Sequence, residues 1–322
     1  MKILMVAPLK QEESQKIADH FINHEFIYSQ AKNVTQQMID DCDIIVGNIG
    51  FHVCLNRKNI KAILLNSAGS DAYVKDGILH SHTRLANGSG SYGKAIAEHT
   101  IGMILSLNKN LKTYIHNMDN HQWKFEKGGK ELYRSTVVIV GLGDLGYELA
   151  KRLKAFDCYI IGIKRTMGSL PKDVDELYTT MHIKEILPKA DYVILTLPQS
   201  KETIHMFDKE KLLLMKKDAV LVNVGRGSAI DTKALKDVLD QGHLSFVALD
   251  VVEEEPLKQD DTLWDYDNVL ITPHASGGFE WKSVRDYYTD LVIRNIDHVI
   301  NDETLENEVD FRTGYRKVIS YK

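Results

Sequence analysis

The sequence predicts an α/β protein made of two Rossmann-like or flavodoxin-like domains, each a doubly wound parallel sheet, with the functional cleft between them. Short apolar, β-rich runs alternate with helical patterns along the chain. A length of 322 residues exceeds what one ordinary core accommodates. A glycine-rich turn near the middle of the chain joins an apolar run to a helical pattern, which is typical of this fold class.

The predicted strands fall into two groups. The first group is KILMVA, FIY, DIIVG and AILLN, and the second is TVVIV, YIIGI, YVILTL, AVLVNV, FVALDV and VLITP. An early helix is expected to bury Ala18, Phe21 and Ile22 on one face. Six strands in the second group suit a complete dinucleotide-binding unit.

Three later helices have clear patterns. The run AIAEHTIGMILSLNKNL predicts a long buried helix, and a polar excursion follows it. Asp231 is expected to cap a helix that Gly242 ends. The apolar stripe of that helix is Leu235, Val238 and Leu239. A third helix is predicted over 281–300, with core positions at Tyr288, Leu291, Val292, Ile296 and Val299.

The sequence also predicts the domain boundaries. Residues 1–95 and 285–322 form the substrate domain, and residues 96–284 form the dinucleotide-binding domain.

Composition excludes several classes of function. A formal net charge of −5 and a pI near 6.2 leave no basic field for nucleic acid or a membrane surface. The cysteines, Cys42, Cys54 and Cys158, are odd in number and widely spaced, so neither a disulfide framework nor a zinc site is expected. The N-terminal apolar run is too short for a signal peptide, and we expect a cytoplasmic protein.

The strongest local motif is the glycine loop in TVVIVGLGDLGYELAKRL. Gly141 permits a tight turn, Gly143 lets the backbone approach a pyrophosphate, and Gly146 allows close helix packing. Asp144 and Leu145 lie within the loop, where the following helix offers its N–H groups to the anion. A purely structural glycine turn is the alternative, but the strand before and the helix after favour dinucleotide binding.

The strand after this loop ends in IKRT instead of an acidic residue. An Asp or Glu there would accept hydrogen bonds from the ribose hydroxyls of NAD. Lys164, Arg165 and Thr166 are suited to hold a 2′-phosphate instead, which predicts a preference for NADP(H) over NAD(H). The alternative is that the two cations are a solvated pair at a strand end.

Three polar residues follow apolar strands of the second half: Arg226, Glu255 and His274. Ligands bind at strand ends in α/β sheets. A guanidinium can fork onto a carboxylate, an imidazole exchanges protons near neutral pH, and a carboxylate favours the charged imidazole. These three residue types predict hydride transfer to a 2-oxo acid.

The motifs VGLGDLG, NVGRGSAID, ALDVVEEEP and TPHASGG, in this order and spacing, resemble those of the D-isomer-specific 2-hydroxyacid dehydrogenases. LLNSAGSDAY resembles the substrate-carboxylate loop of that family, NGSGSYGKAIAEHTIGMIL its crossing segment, and NEVDFRTGY its C-terminal return, so the likeness spans nearly the whole chain. The chain departs from the family pattern in lacking the acidic residue after the second strand. The segment YRSTVVIV also replaces the usual glycine-containing approach to the loop.

The resemblance implies a role for each catalytic residue. Arg226 orients the 2-oxo acid, His274 protonates its carbonyl oxygen, and Glu255 hydrogen-bonds His274 and favours its charged form. Glu255 is chosen from the EEE run because it precedes Pro256, which leaves Glu253 and Glu254 as solvated neighbours.

The resemblance also implies binding residues. Backbone N–H groups of Ala68, Gly69 and Ser70 hold the substrate carboxylate, and Asp250 meets the nicotinamide carboxamide. The remaining predicted cofactor contacts are Leu197, Pro198, Thr203, Val224, Gly225 and Gly277.

Other residues have open roles. Asn48 and Ile49 follow the strand DIIVG and are expected to face the substrate. Tyr92 and Trp281 either wall the substrate pocket or pack in the core. The HxH pair of His80 and His82 lacks nearby ligands, so no metal site is expected.

The sequence thus predicts an NAD(P)H-dependent reduction of a small 2-oxo acid, such as glyoxylate or hydroxypyruvate, to the D-2-hydroxy acid. A homodimer joined through the nucleotide-binding domains is expected from the buried helix, the excursion and the family likeness. One alternative is a dinucleotide-sensing scaffold or corepressor without activity, against which the intact Arg, Glu and His set argues. Another is a phosphoglycerate dehydrogenase-type enzyme, for which VGNIGFHVC offers no cation close to the strand end.

Overall fold

The computed structural model describes residues 1–312, and the chain divides into two compact units. Unit 1 comprises Met1–Tyr92 and the chain from Gly278 onward, and unit 2 is Gly93–Gly277. The sequence analysis placed these domain boundaries a few residues later, between residues 95 and 96 and between residues 284 and 285. Residues 313–322 of the predicted first domain, including the end of NEVDFRTGY, lie outside the described residues.

Unit 1 contains a five-stranded parallel sheet. Its elements in chain order are β1 (Lys2–Met5), α1 (Gln11–His20), β2 (Glu25–Tyr28), α2 (Gln36–Asp41), β3 (Ile44–Val46), β4 (Ala62–Leu64) and β5 (Arg84–Ala86). The strand order is β2-β1-β3-β4-β5, the flavodoxin-like order. All residues of β3 and β4 are buried, as expected of central strands covered on both faces.

Two details of unit 1 differ from the sequence prediction. The edge strand β5 was missed, because three residues beginning with an arginine carry little pattern. The predicted face of α1 is confirmed for Phe21, which is buried just after the helix, but it is wrong for Ile22, because the helix ends at His20 and Ile22 is 80% exposed. Ile17 is the apolar residue that α1 buries, together with the carboxylate-bearing Glu13.

Unit 2 contains a seven-stranded parallel sheet. Its elements are α3 (Gly93–Asn108), α4 (Leu111–Asp119), β6 (Thr136–Val140), α5 (Asp144–Leu153), β7 (Tyr159–Lys164), β8 (Glu176–Thr179), α6 (Ile183–Ile186), β9 (Tyr192–Leu195), α7 (Lys209–Leu214), β10 (Val220–Asn223), α8 (Thr232–Asp240), β11 (Phe246–Leu249) and β12 (Val269–Ile271). The order β12-β11-β10-β9-β6-β7-β8 places the topological switch point between β6 and β9. All six predicted strands are present, and the half-buried edge strand β8 is the additional one.

The sheet of unit 2 separates two apolar cores because side chains alternate along each strand. In β6, Val138 and Val140 lie in one core, while Val137 and Ile139 lie in the other. The predicted helix α8 is confirmed: the Asp231 side chain accepts a hydrogen bond from the Ala234 amide, and the three predicted stripe residues are buried. The long buried helix is confirmed as α3.

The chain returns to unit 1 as α9 (Lys282–Ile300). All five of its predicted core residues are buried. A buried ion pair joins α9 to α1, with Arg285 Nε 2.7 Å from Glu13 Oε1. Within residues 1–312, no helix combines the length and apolar character needed to cross a membrane.

Candidate active site

The glycine loop lies at the switch point, between β6 and α5. Gly141 has φ +104, and an ideal Cβ there would lie 2.9 Å from the carbonyl carbon of Thr196 after β9. A Cβ on Gly146 would lie 2.9 Å from the Gly141 oxygen, so side chains are excluded at both positions. Gly143 is different. Apart from its chain neighbours, the nearest described atom to an ideal Cβ there would be Gly141 O, at 3.9 Å.

The geometry of this loop fits the pyrophosphate of a dinucleotide. The space before Gly143 is open, and it lies at the N-terminus of the ten-residue helix α5. Within the described part of the chain, no side chain caps that N-terminus. Helix N-terminal amides attract anions, so Gly143, Asp144, Leu145 and Gly146 would hold the phosphates, and the bound nicotinamide would supply hydride chemistry.

The loops after β9 and β10 form the neighbouring part of this edge. A Cβ on Gly225 would lie 2.6 Å from the Leu197 amide nitrogen, so the two loops are in close contact. Leu197 and Val224 are buried, whereas Pro198 is exposed. The Thr203 hydroxyl donates to Pro198 O at 2.8 Å, and it therefore closes its own turn.

The predicted phosphate-binding cations lie at the end of β7. Lys164 is the last residue of the strand, and Arg165 and Thr166 follow it as exposed residues. The pKa of Glu202 is lowered, first by a hydrogen bond with Ser200 and to a smaller extent by the charge of Arg165. Arg165 thus has a carboxylate neighbour with which a 2′-phosphate would compete.

The catalytic set is carried by the loops after three adjacent strands, β10, β11 and β12. His274 Nδ1 lies 2.8 Å from Glu255 Oε2, so the predicted contact between these side chains is present. The other oxygen of Glu255 accepts a hydrogen bond from the Val252 amide at 3.2 Å. With Nδ1 facing the carboxylate, Nε2 is the nitrogen of His274 that remains for a substrate.

Arg226 lies on a loop packed tightly against the one that carries Glu255. An ideal Cβ on Gly227 would lie 1.8 Å from Val252 O, so only glycine permits this approach. Asn223 Nδ2 donates to Arg226 O at 3.0 Å, and Arg226 Nη1 donates to Gly225 O at 2.8 Å. These bonds fix the backbone and one N–H of the guanidinium, whose further donors can bind a carboxylate.

Glu253 is exposed, as expected of a solvated neighbour, but it also has partners that the sequence did not predict. Its carboxylate pairs with His205 Nε2 and accepts a hydrogen bond from the Thr232 amide at 3.2 Å. The hydrogen bond with Glu253 raises the pKa of His205. Glu253 therefore ties the Glu255 loop to the start of α8, whereas Glu254 forms an exposed pair with Lys258.

Asp250 and Gly277 flank the His274 turn. Asp250 is 2% exposed, and its carboxylate already accepts hydrogen bonds from Thr272, Ala275 and Ser276. The contact of Asp250 with the carboxamide stays a prediction, and the structure gives this residue a role in holding the turn. Gly277 is the last residue of unit 2.

The predicted substrate loops lie in unit 1, after β3 and β4. Asn48 and Asn66 bridge these loops reciprocally: the Asn48 amide donates to Asn66 Oδ1 at 2.6 Å, and the Asn66 amide to Asn48 Oδ1 at 3.0 Å. Asn48 Nδ2 also donates to Ser67 Oγ at 3.0 Å. The side chain of Asn48 therefore positions the carboxylate loop, and Asn66 was missed although it follows β4 as Asn48 follows β3.

The expectation that Ile49 faces the substrate is wrong. Ile49 is 3% exposed and belongs to the apolar core of unit 1, so its side chain packs inside that unit. The carboxylate loop is restrained by two further bonds, from Asn87 Nδ2 to Ala68 O at 2.9 Å and from Ser67 Oγ to Gly69 O at 2.6 Å. Ser70 is buried beside them.

The remaining candidates have local roles. The Tyr92 hydroxyl donates to Asn66 O, next to the carboxylate loop, and Trp281 is 48% exposed just before α9. The rings of His80 and His82 lie 4.3 Å apart. In residues 1–312, no group of three or more His, Cys, Asp or Glu side chains could hold a metal ion.

Comparisons with known proteins agree with this arrangement. Residues 101–276 match the model of the NAD-binding domain of the D-isomer-specific 2-hydroxyacid dehydrogenases. The chain is 34% identical over 261 residues to a glyoxylate reductase of Thermofilum pendens, covering 76% of this chain and 73% of that protein. It is 31% identical over 318 residues to a D-3-phosphoglycerate dehydrogenase of Methanocaldococcus jannaschii, covering 96% of this chain but only 59% of that protein.

A solved structure has the same fold over nearly the whole chain. It is a D-isomer-specific 2-hydroxyacid dehydrogenase family protein of Aeromonas salmonicida, with a TM-score of 0.86 and 26% identity, covering 96% of this chain and 99% of that one. The chain belongs to the D-isomer-specific 2-hydroxyacid dehydrogenase family, whose members are NAD(P)-dependent oxidoreductases.

Proposed function

We propose that this protein reduces a small 2-oxo acid to the D-2-hydroxy acid with NAD(P)H. The observation that carries the proposal is the 2.8 Å contact between His274 Nδ1 and Glu255 Oε2, on loops at the sheet edge that also bears Arg226 and the glycine loop. A pure binding protein has no need of an acid/base histidine held by a carboxylate. The pair therefore favours an enzyme over a dinucleotide-sensing scaffold.

Each residue has one task in the proposed reaction. Bound nicotinamide supplies the hydride that adds to the carbonyl carbon. Arg226 orients the substrate through its planar fork of N–H donors, and the backbone N–H groups of Ala68, Gly69 and Ser70 hold the carboxylate. His274 Nε2 gives its proton to the carbonyl oxygen, which becomes the hydroxyl, and the imidazole is then reprotonated from solvent.

Glu255 acts on His274 by charge and orientation. Its carboxylate accepts the Nδ1 hydrogen, which fixes the ring, and its negative charge stabilises the imidazolium that donates the proton. Val252 in turn fixes the carboxylate through its amide. The acid is thus held in place before the substrate binds.

Glyoxylate and hydroxypyruvate are the substrates we favour. The glyoxylate reductase among the relatives supports short 2-oxo acids, whereas the D-3-phosphoglycerate dehydrogenase supports a phosphorylated one. The loop after β3 reads GNIGFHVC and carries no lysine or arginine for a phosphate. This composition favours the unphosphorylated acids.

A substrate panel tests the proposal. Glyoxylate, hydroxypyruvate, pyruvate and 3-phosphohydroxypyruvate are each assayed with NADPH and with NADH. We expect dinucleotide oxidation with glyoxylate or hydroxypyruvate. Preference for the phosphorylated acid would support the phosphoglycerate dehydrogenase-type alternative, and dinucleotide binding without turnover would support a scaffold.

We also propose that NADP(H) is the preferred cofactor, with Lys164, Arg165 and Thr166 holding the 2′-phosphate. Replacing Lys164 by Asp and Arg165 by Ser is expected to lower the kcat/KM ratio of NADPH over NADH about ten-fold or more, since a charge-assisted hydrogen bond contributes ~1.5–3 kcal/mol. The effect should shrink as salt rises, because Arg165 is exposed and Lys164 is only half-buried. Replacing Lys172 by Asp, further along the chain, serves as the control. Equal use of NADH and NADPH by the wild type at low salt would contradict the assignment.

We propose that the homodimer interface is formed by the chain segment that follows α3. Several large apolar side chains are exposed there: Leu111, Ile115, Met118, Trp123 and Phe125. A groove of about 590 Å3 is lined by Met118, Trp123, Phe125 and their neighbours. Apolar patches of this kind mark interaction surfaces, and a second copy of the chain is the occupant we propose.

The dimer is tested by two substitutions in this patch. Trp123→Asp together with Phe125→Asp is expected to convert a dimer into a monomer in sedimentation velocity at micromolar concentration. The reason is that burying an unpaired charge in an apolar interface has a large free-energy cost. Met181→Asp, at an 84% exposed position outside the patch, should leave the dimer intact. A monomeric wild type, or a dimer that survives both changes, would contradict the proposal.

The cytoplasm is the compartment we propose. The three cysteines are free thiols, and burial raises the pKa of Cys42 to about 12 and that of Cys158 to about 11. Cys54 is exposed, and free thiols of this kind without disulfide partners suit a reducing compartment.

A further inference from the structure

His274 has a backbone conformation that is uncommon for a residue other than glycine. Its φ is +53, in the left-handed region where non-glycine residues are uncommon. The His274 amide donates to Asp250 O at 2.8 Å, so the turn is tied to the end of β11. An unusual conformation persists only where the surroundings restrain it, and the main restraint here is Asp250.

The Asp250 carboxylate accepts four hydrogen bonds from the residues around His274. Oδ1 accepts from the Thr272 hydroxyl at 2.5 Å and the Ala275 amide at 2.9 Å. Oδ2 accepts from the amide of Ser276 at 3.2 Å and from its hydroxyl. One buried carboxylate therefore organises the turn on both sides of His274.

His99 of α3 lies at the outer end of this network. Its Nε2 is 3.1 Å from Thr272 Oγ1 and 3.7 Å from Asp250 Oδ1, and the side chains of His99 and Asp250 are 23% and 1% exposed. Thr272 has a single hydroxyl hydrogen, and the carboxylate at 2.5 Å is a far stronger acceptor than Met103 Sδ at 3.9 Å. The hydroxyl oxygen of Thr272 must then accept a hydrogen bond, and the donor is the Nε2–H of His99.

We propose that His99 is a positioning residue that holds the turn of His274 through Thr272 and Asp250, an inference that rests on the proposed role of His274 as the acid. Donation from His99 fixes the Thr272 hydroxyl on Asp250. Without that donor the hydroxyl can rotate away, Asp250 loses part of its support, and the left-handed turn is free to relax. The loss falls on the step that uses His274 and spares the glycine loop.

Activity measurements separate this role from a general structural one. His99→Leu removes the donor, and His99→Gln supplies an amide N–H that can reach the same oxygen. We expect about a ten-fold fall in kcat for His99→Leu, little change in the dinucleotide Kd, and recovery of most of the activity in His99→Gln. His182→Leu is the matched control, because His182 makes a similar 3.0 Å contact with the hydroxyl of Thr179 away from the catalytic loops.

Two further measurements test the role of His99. Thr272→Val breaks the same connection. The kcat of the double variant, with His99→Leu and Thr272→Val, should therefore be no lower than that of the slower single variant. The imidazole 15N resonances of His274 should shift in His99→Leu and return in His99→Gln, whether or not any 2-oxo acid is turned over. A wild type that turns over no 2-oxo acid would overturn the proposed function alone. A wild-type kcat together with unshifted His274 resonances in His99→Leu, or no recovery in His99→Gln, would overturn the role of His99.

Discussion

Replacing His274 by Ala is expected to lower kcat for 2-oxo acid reduction by about 10²- to 10⁴-fold, the contribution typical of a general acid. The imidazole Nε2 is the proposed donor to the carbonyl oxygen, and Nδ1 is occupied by Glu255 at 2.8 Å. The proposed site of the dinucleotide is the separate loop of Gly141 to Gly146, so its Kd should change little. Steady-state kinetics and fluorescence titration with NADPH measure the two quantities.

A second variant locates the origin of this loss. Glu255→Gln keeps a hydrogen-bond acceptor but removes the charge, so it should lower kcat less than His274→Ala. Near-normal reduction by His274→Ala would place the proton donor elsewhere and overturn the mechanism.

Replacing Arg226 by Lys is expected to lower kcat/KM roughly 10²-fold. Lysine preserves the positive charge, but an ammonium cannot reproduce the planar fork of donors, and losing one charge-assisted bond costs ~1.5–3 kcal/mol. The loop of Arg226 is packed so closely against Val252 that a shift to compensate is blocked. Arg134→Lys, an exposed arginine stacked on Tyr133, is the matched control. Unchanged kinetics in Arg226→Lys would move the substrate site away from this loop.

The parts of the fold that could be predicted are those with a strong local pattern. The glycine loop, the buried strands of both sheets and the capped helix α8 each depend on residues close together in sequence. The short edge strand β5 was missed because it has three residues and begins with an arginine, and β8 was missed because a half-buried strand lacks a continuous apolar run. The end of α1 was misplaced because the chain turns before Ile22.

The parts of the site that could not be predicted depend on contacts between distant residues. The pair of Glu255 and His274 was predictable, because each residue follows a strand in a recognisable motif. The bridge between Asn48 and Asn66, and the bond from His99 to Thr272, join side chains that only the sheet brings together. A run of three glutamates also gives no sign in sequence that Glu253 pairs with His205.

The most direct test of the account follows the hydride itself. NADPH carrying deuterium at C4 of the nicotinamide, prepared separately for each face of the ring, is incubated with the wild-type protein and glyoxylate or hydroxypyruvate. We expect one of the two labelled forms to deliver deuterium to C2 of the product, and the product of hydroxypyruvate to be the D-isomer. Product without deuterium from either form, or no product with any 2-oxo acid, would contradict hydride transfer to a 2-oxo acid as the function of this protein.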